Sequence, residues 1–211
     1  MPVFLQHREP HYCWAVWKVD ETADELLSML PHTDAYRQEV QRFASENRRL
    51  EWLAVRVLFY VLSGEEKCIA YLPNGRPYLT DTSKHISISH TKGYVAIILG
   101  ESPLAGVGID IEHYGERVHR VADRFIRDDE AIPFYKDTDI WALLLHWSAK
   151  ETVYKCLDKT EVDFREHLRV VPFVPDDKGA FGVYEYKTPR RQYYVVRYLL
   201  QSDFVLTWTC F

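Results

Sequence analysis

Residues 105–112 read AGVGIDIE, an apolar run with the look of a buried strand that ends in two carboxylates, Asp110 and Glu112. Positions two apart in a strand project from the same side, so both carboxylates point one way. Two like charges held that close repel and resist burial; they need a cation, a shared proton or open water. The same strand opens a series of elements. A short helix is predicted over 116–126 and a longer one over 139–157, carrying Trp141, Leu144, Leu145, Val153, Cys156 and Leu157. QYYVVRYLL (192–200) and FVLTWTC (204–210) then flank QSD as a hairpin by spacing.

The first half follows the same order. HYCWAVWKV (11–19) reads as a strand. A helix follows from about 37 to 62, with Phe43, Leu50, Leu53, Ala54, Val57, Leu58, Val61 and Leu62 at helical spacing and Gly64 as its stop. YLPNGRPYL (71–79) is turn-rich and reads as a loop, and HISISH (85–90) and YVAIILG (94–100) form a hairpin across TKG. LEWLAVR (50–56) faintly echoes LHWSAKE (145–151). Each half thus runs strand, helices, hairpin. This predicts an α+β fold of two similar lobes, 1–103 and 104–211, each a small antiparallel sheet packed with a long helix, with a ligand cleft between them.

Composition bounds the function. Hydrophobic residues at 47% and aromatics at 14% of 211 residues mark a folded chain rather than a disordered one. A net charge of −5 gives no overall basic footprint for nucleic acid. Cys13, Cys68, Cys156 and Cys210 are scattered without CxxC spacing, which fits reduced thiols in a cytoplasm rather than a disulfide framework or zinc cluster. The first residues, MPVFLQHREPHYCW, lack the pattern of a secretion leader, and no apolar run approaches the ~18 residues of a membrane span.

Alone, Asp110 and Glu112 could be a solvated strand end, and Glu151–Lys155 an ordinary helix pair worth a few tenths of a kcal/mol. Together they suggest more. In HWSAKETVYK (146–155), Trp147, Glu151 and Tyr154 or Lys155 share one helix face. If that helix packs beside the strand, Asp110, Glu112 and Glu151 make an all-oxygen site suited to Mg2+, which shares its remaining positions with waters and phosphate oxygens. Arg48, Arg49, Arg76, His90, Lys150 and Lys155 are the cations a polyphosphate ligand would need.

The ordered set NGRPYL (74–79), ISISHTKGYVAIILG (86–100), GVGIDIE (106–112), RFIRDDE (124–130) and WSAKETVYK (147–155) resembles the Sfp-type 4'-phosphopantetheinyl transferases. The resemblance covers about 37–157. It implies a cytoplasmic, pseudo-twofold monomer that moves the phosphopantetheine arm of coenzyme A onto a serine of an apo acyl, peptidyl or aryl carrier protein, releasing adenosine 3',5'-bisphosphate. By the same resemblance Asp110, Glu112 and Glu151 would ligate Mg2+, with Mn2+ as an alternative, and Glu151 would deprotonate the carrier serine. Lys155 would contact the pyrophosphate. Arg76 stands where the family commonly has Lys in GKP and would hold an outer phosphate, while Ser89 and His90 match a Ser-His pair near the 3'-phosphate. Lys150, Arg48 and Arg49 complete the expected coenzyme A contacts.

Arg117, Arg120, Arg124 and Arg127, at three-to-four-residue spacing beside Val118, Val121 and Phe125, form a basic edge that would meet an acidic carrier. Their other reading is a solvated helix edge over a core-facing stripe. Neither nucleic acid nor membrane is an expected partner. Two other functions use the same residues: a Mg2+-dependent hydrolase of nucleotides or pyrophosphates, and a non-catalytic module that retains coenzyme A or a carrier.

Overall fold

The computed structural model describes residues 3–157 and 161–211; residues 1 and 2, part of the stretch read for a leader, lie outside it. The chain divides into two compact units, Met1–Pro103 and Leu104–Phe211.

The first unit runs β1 (Leu5–Glu9), β2 (Tyr12–Lys18), α1 (Ala23–Ser28), α2 (Thr33–Val40), α3 (Glu46–Ser63), β3 (Ile69–Tyr71), β4 (Pro77–Leu79), β5 (His85–Thr91) and β6 (Tyr94–Gly100). Its main sheet has the order β1-β2-β6-β5 and is antiparallel throughout. Alternate residues Cys13, Ala15 and Trp17 of β2 and Val95, Ile97 and Leu99 of β6 enter one core, which α3 closes with Leu53, Ala54, Val57, Leu58 and Leu62. Thr22 and Glu25 form a reciprocal capping box that starts α1. The hairpin at 85–100 forms as expected.

Two expectations change here. The helix predicted over 37–62 is two helices, because Ser45 is extended (φ −85°, ψ 131°) and sets the start of α3. Phe43 and Leu50 still pack on the same core, so one apolar stripe runs through a break in the backbone. The loop predicted at 71–79 is part of a two-stranded hairpin in which Ile69 pairs with Leu79, both of them buried. Gly64 ends α3 in the left-handed region (φ 72°), as its position predicts.

The second unit runs β7 (Val107–His113), a 3-10 helix at Glu116–Arg124, α4 (Ile140–Tyr154), α5 (Phe164–His167), β8 (Leu168–Val170), β9 (Lys178–Glu185), β10 (Tyr193–Leu200) and β11 (Phe204–Cys210). The sheet order is β7-β11-β10-β9-β8, all antiparallel. α4 lies against β7, β11 and β10 and is buried on nearly every side from Ile140 to Val153. β8 and β9 extend the sheet beyond the hairpin that the sequence reading recognised; two glycines in KGAFGVYE weaken the β signal of β9. Both units therefore mix helices with antiparallel sheet, in line with the α+β expectation. The four cysteines are free thiols. Among the described residues no helix is long and apolar enough to cross a membrane.

Candidate active site

The acidic end of β7 and the middle of α4 are held together by unusually close packing. A Cβ on Gly108 would lie 2.4 Å from the Thr152 carbonyl oxygen and 2.7 Å from Cys156 Sγ, so only glycine lets the helix approach the strand this far. On the other side, a fully buried trio of hydroxyls ties α4 to β11. Ser148 Oγ lies 2.8 Å and Thr152 Oγ1 2.6 Å from Thr207 Oγ1, and Thr152 Oγ1 also donates to the Thr207 carbonyl at 3.3 Å. Thr207 is the cross-strand partner of Asp110. The helix is thus fixed against the two strands that flank the carboxylates.

Five side chains meet there. Lys155 Nζ donates to Asp110 Oδ1 at 2.7 Å and to the Ile109 carbonyl at 3.0 Å. Trp147 Nε1 donates to Glu112 Oε1 at 2.7 Å. Glu151 sits one turn from both Trp147 and Lys155 on the same helix face. Asp110 is 3% exposed. Burial first, and then the Asp110 charge, push Glu112 and Glu151 up to about 7; the Trp147 bond opposes this at Glu112, and Lys155 opposes it at both. The structure therefore brings Asp110, Glu112, Glu151 and Lys155 into one electrostatic cluster. Lys155 is, among the described residues, the cation whose charge acts on both raised glutamates. Among the described residues, however, no three His, Cys, Asp or Glu side chains already form a cage able to hold a metal ion. Asp110 and Glu112 are turned toward Lys155 and Trp147 instead.

Lys150 lies elsewhere. Its side chain is 0% exposed, and Nζ donates to Glu130 Oε2 at 2.8 Å, the Phe125 carbonyl at 2.5 Å and the Phe164 carbonyl at 3.2 Å. Glu130 in turn accepts from the backbone amides of Val170 (2.6 Å) and Arg127 (2.9 Å). Burial lowers the Lys150 ammonium to about 8, against the pull of Glu130. The expected phosphate contact at Lys150 is corrected: all three of its donors are spent inside the unit, stitching α4 to the segments before α5 and β8. Phe125 is also corrected, since it is fully buried, edge-on to Trp147, and cannot meet a partner. Arg117, Arg120 and Arg124 are exposed, while Arg127 is drawn to Asp129 and to the carbonyls of Arg165 and Glu166.

The expected coenzyme A contacts of the first unit separate as well. A cavity of about 610 Å³ is walled by Arg42, Arg48, Trp52, Arg56, Tyr71 and His90. Arg48 Nη1 donates to His90 Nε2 at 3.2 Å and to Glu51 at 3.1 Å, and His90 Nδ1 lies 3.4 Å from Glu51. The buried Arg56 guanidinium stacks 3.7 Å over the Trp52 ring. Gly75 and Pro77, which bracket Arg76, also line the wall. Arg49 instead donates to the Phe43 carbonyl at 2.6 Å, and Ser89 is buried on the opposite strand face from His90. Arg42, Trp52, Arg56 and Tyr71 went unnoticed in the sequence. The Trp52–Arg56 spacing of four was the available signal.

Residues 106–209 match the family model of the 4'-phosphopantetheinyl transferase superfamily. The match runs from just before β7 to the end of β11 and contains Asp110, Glu112, Glu151 and Lys155. A match to this transferase superfamily supports a transferase and points to phosphopantetheinyl transfer. No curated protein matches the chain.

Proposed function

We propose that the protein is an Sfp-type enzyme, a cytoplasmic monomer built from two versions of one lobe plan. It transfers the 4'-phosphopantetheine arm of coenzyme A to a serine hydroxyl of an apo acyl or peptidyl carrier protein and releases adenosine 3',5'-bisphosphate. The observation that carries this reading is the superfamily match falling on the unit in which Asp110, Glu112, Glu151 and Lys155 are gathered.

Three carboxylates offer hard oxygen donors and more negative charge than Lys155 balances, so by charge and donor type they fit Mg2+ or Mn2+. Asp110, Glu112 and Glu151 would hold it. When bound, the cation supplies positive charge to the pyrophosphate oxygens. The chain's own groups do the rest. Glu151, a carboxylate one helical turn from Lys155, would take the proton of the serine hydroxyl. Lys155, held by Asp110 and the Ile109 carbonyl, offers its charge to oxygens that become more negative as the phosphorus–oxygen bond to the bisphosphate breaks. Trp147 keeps Glu112 from swinging out. In the first unit, the cavity sets Arg42, Arg48 and Arg56 against the carboxylates of Glu39 and Glu51; the arginines would serve the phosphates of coenzyme A and Trp52 and Tyr71 its ring.

Incubation with coenzyme A, Mg2+ and several apo-carriers should add one phosphopantetheine by mass. No gain with any carrier, or full activity in Asp110→Ala or Glu151→Ala, would overturn the reading. Release of the bisphosphate from coenzyme A without a carrier would mark a hydrolase instead.

A further inference from the structure

The β9–β10 hairpin separates charge and apolar surface in a way the transfer site does not use. Along β10, Tyr194, Val196 and Tyr198 enter the core, while Tyr193, Val195 and Arg197 alternate outward. Tyr184 joins them from β9 as the register partner of Tyr193. Tyr193 is 48% exposed and Val195 45%. The rings are held in place. Tyr193 lies across Gly182, where a Cβ would come within 2.4 Å of the ring, and its centroid is 4.9 Å from that of Tyr184, which lies 6.2 Å from that of Tyr186.

The same hairpin carries exposed cations. Lys178, Arg190, Arg191 and Arg197 are all exposed. From 178 to 202 the sequence contains one carboxylate, Glu185, which is fully buried and bonded to the Thr188 amide and hydroxyl. The exposed carboxylates that directly precede the hairpin are Asp176 and Asp177, and Asp177 is engaged by Lys136 and Tyr135. A chain with a net charge of −5 thus presents a hairpin with four exposed cations and no exposed anion. A tyrosine laid over a cross-strand glycine can serve the sheet alone, but that accounts for neither Val195 nor the charge.

We propose that this face docks an acidic protein surface. This rests on the transfer reading, in which that protein is the acceptor whose serine is modified. Packed tyrosines and an aliphatic side chain on a hairpin that also carries exposed arginines and a lysine have the composition of a protein interface, apolar and aromatic contact area beside charge. Stacked nucleic-acid bases fit less well. The Tyr184 and Tyr193 rings are inclined at 57° rather than laid out as a platform, and Val195 offers no stacking surface.

The test compares wild type, Arg190→Glu/Arg191→Glu and the charge-keeping Arg190→Lys/Arg191→Lys. Binding to an immobilised acidic apo-carrier is measured at low and moderate salt, together with transfer kinetics. Charge reversal should raise the carrier Kd and KM on the order of tenfold and flatten the salt dependence, with coenzyme A affinity and kcat unchanged; the lysine pair should behave as wild type. Unchanged carrier binding after charge reversal overturns the docking proposal and leaves the transfer reading standing. So does tighter binding of a single-stranded oligonucleotide than of any carrier. Hairpin-dependent carrier binding without any mass gain does the reverse, and a wild type that binds no carrier sinks the docking proposal.

Discussion

Replacing Glu151 by Gln should make the metal-free protein more stable while abolishing transfer. The reason is the crowding of buried carboxylates. Burial and the Asp110 charge move the Glu151 carboxyl from 4.5 to about 7. In the unfolded chain the same group releases its proton near 4.5, so between the two values the native state binds more protons. Stability therefore falls as pH rises through that window and stays reduced above it. At about 1.4 kcal/mol per pH unit, the loss at pH 8 is on the order of 3 kcal/mol. Glutamine keeps the shape without the charge and should recover most of that, raising Tm by roughly 5–10 °C for a chain of this size. Melting curves in chelator from about pH 5 to 8.5 provide the check. The two proteins should melt together near pH 5 and diverge with the variant above wild type by pH 8. A variant that melts below wild type at pH 8, or a difference that does not change with pH, refutes the crowding argument.

Four further outcomes follow. Trp147→Phe deprives Glu112 of its 2.7 Å donor; urea melts should show a loss of about 1–3 kcal/mol, and kcat should fall more than the KM for coenzyme A changes. Lys150→Met leaves Glu130 charged and buried without its ammonium, which should cost about 3–5 kcal/mol; adding Glu130→Gln, which removes the charge but keeps an acceptor oxygen for the Val170 amide, should recover part of it in the same melts. Gly108→Ala should impair folding or transfer more than an ordinary strand substitution, because the new methyl meets backbone oxygen rather than a side chain that can turn away; near-native melting and activity would contradict the close-packing account. Arg48→Ala, at an exposed position, should leave Tm within about 1 °C. The same change should raise the coenzyme A KM on the order of tenfold if the first-unit cavity holds its phosphates, as steady-state kinetics at saturating carrier would show.

Much of this was legible from spacing alone. Asp110 and Glu112 on one strand face, and Trp147, Glu151 and Lys155 on one helix face, follow from periods of 2 and 3.6, and the structure adds only that the two faces meet. Lys150 could not be read that way. Nothing local marks Lys150 as buried; the cause is Glu130, twenty residues away, whose own burial depends on β8, a strand the sequence hid. Phe125 misled for a geometric reason. A 3-10 helix with three residues per turn buries Val118 and ends at Arg124, so Phe125 falls on a turn that leads inward rather than on the basic edge. Ser148 and Thr152, four apart in α4, were a visible sign of a polar stripe facing the sheet, but their partner Thr207 is supplied by the last strand.

That hydroxyl trio has a consequence for how the site tolerates change. Each of its members can turn its proton to suit its neighbours, and none carries a charge at any accessible pH. The clamp on α4 is electrically silent. Protonating Glu151, neutralising the carboxylates with a cation or raising the salt alters every charged contact around β7 but leaves Ser148, Thr152 and Thr207 unmoved. The helix that presents Glu151 and Lys155 can therefore pass through large swings in local charge while keeping its seat on β11.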